Sequence, residues 1–236
     1  MEEKLRGLVL NGIAYGENDK ILTIYTLEKG IVSAGIKGVK KAGAKLKFAS
    51  EPFCFAEFVF SVSGERRTVI GASLIDSFYS IREDIVKYYA GATVLEFIKK
   101  FLKQEIIGED IFFLAIETLK TLSYGNRDVK SVVAEFLIKG LSIVGFGLNT
   151  TGCYKCACKE ITGKVYFDCN SGGFLCEDCF DGKGREIKTS TFNAIKRLSL
   201  GLDDKENANF ALLLLEYYIT YRAEEKIKSL NELIKL

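Results

Sequence analysis

The sequence predicts an α+β chain in which a small five-stranded barrel precedes a helical domain carrying an inserted four-cysteine module. Three observations predict it. Residues up to about 79 read as short strands between turn-forming residues. At Ser80 the apolar period changes from two to about 3.6. Six of the seven cysteines then fall between residues 152 and 180, inside the helical pattern.

The strands come first. Leu5–Leu10, Lys20–Thr26, Ile31–Ile36, Phe53–Val62 and Arg67–Ser77 are rich in Val, Ile, Phe, Tyr and Thr. Asn11-Gly12, Gly16-Glu-Asn-Asp19, Lys29-Gly30 and Ser63-Gly-Glu65 supply turn chemistry between them. Five short strands with glycine at the corners suit a closed Greek-key barrel of the oligonucleotide-binding (OB) type over residues 1–79. The helical domain follows over 80–236. Ser80-x-x-Glu83 reads as a capping box, with Ile85, Tyr88, Ala92, Leu95, Ile98 and Leu102 on one helical face. Further helices are expected over Asp110–Ser123 and Val129–Val144, from near Ser190, and as one long helix over Glu206–Ile234 through Phe210, Leu213, Leu214, Tyr217, Tyr218 and Tyr221.

The cysteine module, residues 150–184, interrupts that helical pattern and so reads as an insertion, not a free finger. The longest uncharged run, Gly140–Tyr154, is broken by four glycines, so no membrane span is expected, and no secretory leader is recognisable. A cytoplasmic location follows as the expectation, and in a reducing compartment paired cysteines point to metal before disulfides. Histidine is absent, which removes the usual general base and any mixed Cys/His metal site. Cys153-x2-Cys156 and Cys176-x2-Cys179, nineteen residues apart, have the spacing of a four-cysteine zinc site. Four thiolates fill the coordination sphere of zinc, so the expected role is structural, with one Zn2+ and no catalytic residue. Cys158 and Cys169 are left over, and Cys158 could exchange with Cys156 as a ligand. Cys158-x-Glu160 with Cys176-x2-Cys179 imitates a zinc deaminase. However, Leu175 stands where that pattern has proline, and Cys153 and Cys156 would then have no role.

The net charge of +2 names no partner, but its distribution is uneven: from Gly30 to Ser50 there are five lysines (Lys37, Lys40, Lys41, Lys45 and Lys47) and no acid. The cysteine module, with five acids and five bases between Thr150 and Arg185, lacks the footprint of a DNA-reading finger. Of the aromatics near the lysines, Tyr15, Tyr25, Phe48, Phe53 and Phe55, most are expected in the core.

Taken together, several stretches resemble the RecO family of DNA-repair proteins. They are Gly7-Leu-Val-Leu10, Tyr15-Gly-Glu-Asn-Asp-Lys-Ile-Leu-Thr-Ile-Tyr-Thr-Leu-Glu-Lys-Gly30, Lys37-Gly-Val-Lys-Lys41, Glu51-Pro-Phe53, and the two knuckles with Gly172-Gly-Phe-Leu-Cys176 between them. The resemblance covers essentially the whole chain. It implies a nucleoid-associated recombination mediator without catalytic activity. Such a protein binds single- and double-stranded DNA, anneals complementary strands, and works with RecR to help RecA replace single-strand-binding protein. The family's basic patch falls on Lys37, Lys40 and Lys41. Where the family often has a Ser-Arg pair this chain has Ala44-Lys45, and where the first knuckle usually ends in glycine it has Ala157. Two other classes stay in view: a protein-interaction scaffold that does not bind DNA, and the zinc enzyme already weighed.

Overall fold

The computed structural model describes residues 1–102 and 108–236. Five strands, β1 Glu2–Tyr15, β2 Asp19–Thr26, β3 Gly30–Ile36, β4 Phe55–Ser63 and β5 Arg66–Asp76, close into a barrel in the order β1-β2-β3-β5-β4. Neighbours run antiparallel except β3 and β5, which pair in parallel. This is the expected OB-type barrel. Alternation along the strands sends Leu22, Ile24, Val32, Ala34 and Ile36 inward, where they meet Leu5, Val9, Phe58 and Phe60.

Asn11-Gly12 is not a turn. β1 runs straight through it, with a register shift between Val9 and Asn11 that marks a bulge. A Cβ on Gly12 would stand 3.2 Å from the Ser50 carbonyl oxygen, so glycine here serves a close approach of two backbones.

Helices α1 Ile85–Phe101, α2 Glu109–Tyr124 and α3 Val129–Ile143 follow. The expected capping box is absent. Asp84 caps α1 by accepting from the N–H groups of Val86 and Lys87, whereas the Ser80 hydroxyl donates to the Ser123 carbonyl across to α2. The buried face of α1 is correspondingly rotated: Ala90, Val94, Phe97 and Ile98 are buried while Ile85 and Tyr88 are exposed.

After the cysteine module come α4 Thr189–Ser199, α5 Ala208–Arg222 and α6 Lys228–Lys235. The single long helix expected from Glu206 breaks at Glu224, whose φ of 56° is incompatible with a continuing helix. Glu96 on α1 caps the new start, accepting from the N–H groups of Lys228 and Ser229 and from the Ser229 hydroxyl. On α5 the buried residues are Ala211, Leu212, Leu214, Leu215, Tyr218 and Ile219. Phe210, Leu213, Tyr217 and Tyr221, counted on the apolar face, are exposed.

The module folds as a three-stranded sheet, β7-β6-β8, from β6 Val165–Asp168, β7 Gly173–Cys176 and β8 Arg185–Ile187. Every residue of β6 and β7 is buried. Phe174 packs edge-on against Phe192 of α4 and Phe167 against Tyr218 of α5, so the module is part of the helical core. That core extends to Leu8, Tyr25 and Phe53 of the barrel end, while a second core lies wholly within the barrel. No described helix is long and apolar enough to cross a membrane.

Candidate nucleic-acid interface and metal centre

The lysine segment leaves the barrel at the end of β3 and returns at β4. Its path is a run of tight turns: Lys41 N–H donates to Gly38 O, Ala44 to Lys41, Lys47 to Ala44 and Ser50 to Lys47. Gly38 and Gly43 take φ of 69° and 75°, a conformation that their lack of a Cβ permits. Three contacts root the segment. Val39 is buried in the barrel core, Lys40 N–H donates to Asn18 O at 3.0 Å, and Gly38 N–H donates to the Asp19 carboxylate at 2.8 Å.

With the backbone held, the five side chains point outward. Lys37, Lys40, Lys41, Lys45 and Lys47 are all exposed, and among the described residues none has an ion-pair partner. The other lysine near them, Lys20, is bound to Glu51 at 3.0 Å. Lys37 and Lys41 are brought together around a shallow depression with Tyr15 and Gly16. Lys45 and Lys47 lie farther along, on the turns leading to Phe48–Ser50, and line neither that depression nor the cleft beside it.

That cleft, about 460 Å³, opens on the outer barrel face between the β1–β2 and β4–β5 turns, with Tyr15, Ile21, Gly35, Lys37 and Arg66 in its lining. Of these only Lys37 is a site residue expected from sequence; Tyr15 is named there only among aromatics mostly expected in the core, and Ile21, Gly35 and Arg66 are not named as site residues. Arg66 is exposed and has no ion-pair partner among the described residues, whereas its neighbour Arg67 pairs with Glu3. The pair is visible in the sequence, but only the parallel β3–β5 contact brings it beside Lys37. Tyr15 is 63% exposed. The remaining aromatics are accounted for otherwise: Tyr25 and Phe53 are buried, Tyr25 donating to Gly108 O at 2.6 Å, and Phe48 and Phe55 pack against the cores.

The four cysteines of the paired knuckles come together. The sulfurs of Cys153, Cys156, Cys176 and Cys179 all lie within 4.8 Å of one another, with Cys156 Sγ 3.7 Å from Cys176 Sγ. A tetrahedron with metal–sulfur bonds of about 2.3 Å has edges of about 3.8 Å, so the set is dimensioned for one metal ion.

The first knuckle is formed by Cys153 N–H donating to Cys158 O at 3.0 Å and Ala157 N–H donating to Cys153 O at 2.9 Å. The approach is so close that a Cβ on Gly152 would stand 2.1 Å from Cys158 O. Ala157 occupies the left-handed region at φ 59°, where a glycine would sit unstrained. Burial opposes ionisation of Cys153, but the N–H groups of Cys156, Cys176 and Lys155 outweigh it and hold the thiol below its ordinary range. Hydrogen bonding with the Cys176 and Cys156 thiols, followed by burial, favours the protonated form of Cys179 and pushes it up.

Cys158 is outside the four-sulfur set, although its thiol touches Cys156 and Cys176. Cys169 is buried and pushed up to about 11 by desolvation. Glu160, the acid of the deaminase reading, is exposed at the surface.

The chain matches two family models: Recombination protein O N terminal over residues 1–78 and Recombination protein O C terminal over residues 82–231. Among similar proteins, the DNA repair protein RecO of Caldicellulosiruptor saccharolyticus is 29% identical over 97% of this chain and 96% of its own length. That of Caldicellulosiruptor bescii is 31% identical over 81% of this chain and 78% of its own, and that of Bacillus subtilis 29% over 77% and 70%. Both halves of the fold are thus matched in one order, barrel then helical domain, and the chain belongs to the RecO family of DNA repair proteins, which are non-enzymatic recombination mediators.

Proposed function

We propose that this protein binds single- and double-stranded DNA through Lys37, Lys40, Lys41, Lys45 and Lys47 and anneals complementary strands. With RecR it helps load RecA onto DNA coated by single-strand-binding protein. The observation that carries this reading is the lysine segment itself: five exposed ammonium groups on a fixed backbone, none neutralised by a neighbouring acid among the described residues. Ammonium groups are adaptable point charges that track phosphates without reading bases. A surface that neutralises two strands together lowers their repulsion, and base pairing supplies the free energy of annealing. No proton or group transfer is needed, so no side chain has to act as acid, base or nucleophile.

Cys153, Cys156, Cys176 and Cys179 hold one Zn2+ in this reading. Four sulfur donors leave no open coordination position, so the ion cross-links the knuckles and does no chemistry on a substrate. The protein works in the cytoplasm on nucleoid DNA.

A second reading, a protein-interaction scaffold without direct DNA contact, is favoured by the exposed stripe Phe210, Leu213, Tyr217 and Tyr221 on α5. The deciding experiment is ATP-free annealing of two complementary oligonucleotides by wild type and by a folded Lys40→Glu, Lys41→Glu double variant. Acceleration that the variant loses supports the mediator reading. Absence of both annealing and DNA binding by wild type at low salt sinks it in favour of the scaffold.

A further inference from the structure

The cleft beside the lysine segment differs from it in kind. Across the outer barrel face, Ile13 pairs with Ile21, Ile21 with Gly35, and Gly35 with Thr68, so one row runs over four strands. At its centre Gly35 has no side chain. A Cβ there would meet nothing nearer than 3.9 Å, which leaves an open floor. The exposed Ile21 borders this floor on the β2 side, and Tyr15 stands at the end of β1 beside it. Lys37, just after β3, and Arg66, the first residue of β5, bring to the lining two cations without an ion-pair partner among the described residues. Of the two acids in the lining, Asp19 is engaged by the Gly38 N–H and Glu65 is exposed.

An open floor bordered by an apolar side chain, one exposed aromatic ring and two cations are what an unpaired nucleobase and its flanking phosphates require. The lysine segment alone has no such apolar surface and meets only phosphates. Resting on the DNA-binding reading above, we infer that this cleft is a subsite for an unpaired base, stacked against Tyr15 and Ile21 over Gly35, with the adjoining phosphates held by Lys37 and Arg66.

Single strands use both surfaces, whereas a duplex, whose bases are already stacked and paired, uses the lysine segment alone. Base pairing therefore withdraws the base from the cleft, and the annealed product is held more weakly per phosphate than the strands that formed it. This gives a mediator that stacks single strands a physical route to releasing duplex.

The test measures affinity for an oligothymidine, for a duplex with the same number of phosphates, and for an abasic sugar-phosphate tract, all at one low salt concentration. Wild type should bind the oligothymidine about tenfold or more tightly than the abasic tract, the order expected of one stacked base. Tyr15→Ala should lose that preference while keeping its duplex affinity and salt slope, and Tyr15→Phe should restore it. Tyr15 is exposed and its side chain makes no hydrogen bond among the described residues, so an unchanged fold is expected. Equal affinity of wild type for the thymidine and abasic tracts overturns the inference, as does equal weakening of oligothymidine and duplex binding in Tyr15→Ala. Wild type that binds none of the three overturns the DNA-binding reading and this inference with it. Wild type that binds all three alike removes only the cleft.

Discussion

Replacing Lys40 and Lys41 by alanine removes two of the six cations assigned to DNA, Arg66 and the five lysines, all exposed and without an ion-pair partner among the described residues. Each phosphate neutralised on a single strand contributes about −0.7 to the slope of log affinity against log salt, so six contacts give about −4.2. Between 50 and 200 mM salt that is about a three-hundredfold loss of affinity. The double variant keeps four contacts and a slope of about −2.8, a loss of about fiftyfold over the same range. Anisotropy titrations of a labelled oligothymidine at four salt concentrations measure both slopes. The alanines should not disturb the segment, because Lys40 is anchored by its backbone N–H on Asn18 and the segment by Val39. A variant slope equal to the wild-type slope would refute the reasoning, since the two ammonium groups would then not be meeting phosphates.

Other outcomes follow from the same geometry. Cys176→Ser should purify with less than one zinc per chain and melt at lower temperature, while Cys158→Ser, outside the four-sulfur set, should keep a full equivalent; elemental analysis distinguishes them. Gly152→Ala forces a Cβ into the Cys158 carbonyl and should cost about 2 kcal/mol or more in urea unfolding. Ala157→Gly relieves left-handed strain of about 1–2 kcal/mol against a smaller unfolded-state entropy cost, and should stabilise by about 0.5–1 kcal/mol. Burial opposes ionisation of Glu96, but the N–H groups of Ser229 and Lys228 and the Ser229 hydroxyl outweigh it, so its folded pKa lies below the unfolded value of 4.5. Its contribution is therefore full above that value and lost as pH falls through the folded pKa. Glu96→Gln should flatten that part of the acid limb, read as thermal midpoints between pH 6 and 3.

The barrel and the knuckles were legible because each is a local signal: strand-forming runs between turn residues, and paired cysteines at fixed spacing. The cleft was not, because it depends on the parallel pairing of β3 with β5, a contact between segments some thirty residues apart that no local pattern announces. The Asn11-Gly12 bulge was misread for a related reason. The pair is a strong turn signal in isolation, and it is the approach of the Leu22 side chain and the Ser50 carbonyl, at 3.1 and 3.2 Å from a Cβ there, that explains glycine within a strand. On α5, apolar residues occur all round, so periodicity cannot say which stripe is buried; packing against the module selects the side containing Tyr218. Ser80 and Glu83 match a capping box in spacing, yet Asp84 lies nearer the first helical turn and takes the free N–H groups.

The two candidate sites are rooted in different cores, and this fixes how loss of the proposed metal should propagate. Val39, Leu46 and Phe48 of the lysine segment pack into the barrel's own core, with Leu22, Ile24 and Val32. The knuckles belong to the other core, where Cys153, Phe167 and Phe174 meet Phe192 and Tyr218, and which reaches the barrel at Leu8, Tyr25 and Phe53. Opening of a protein follows cooperative packing units, so a lost cross-link is felt first where its own core is severed. Chelation should therefore raise hydrogen exchange at the amides of β6, β7, α4 and α5 well before those of β2 and β3. If β2 and β3 lose protection in step with β6 and β7, the contacts at Leu8, Tyr25 and Phe53 join the cores into one cooperative unit, and the metal supports the DNA face as directly as it supports the knuckles.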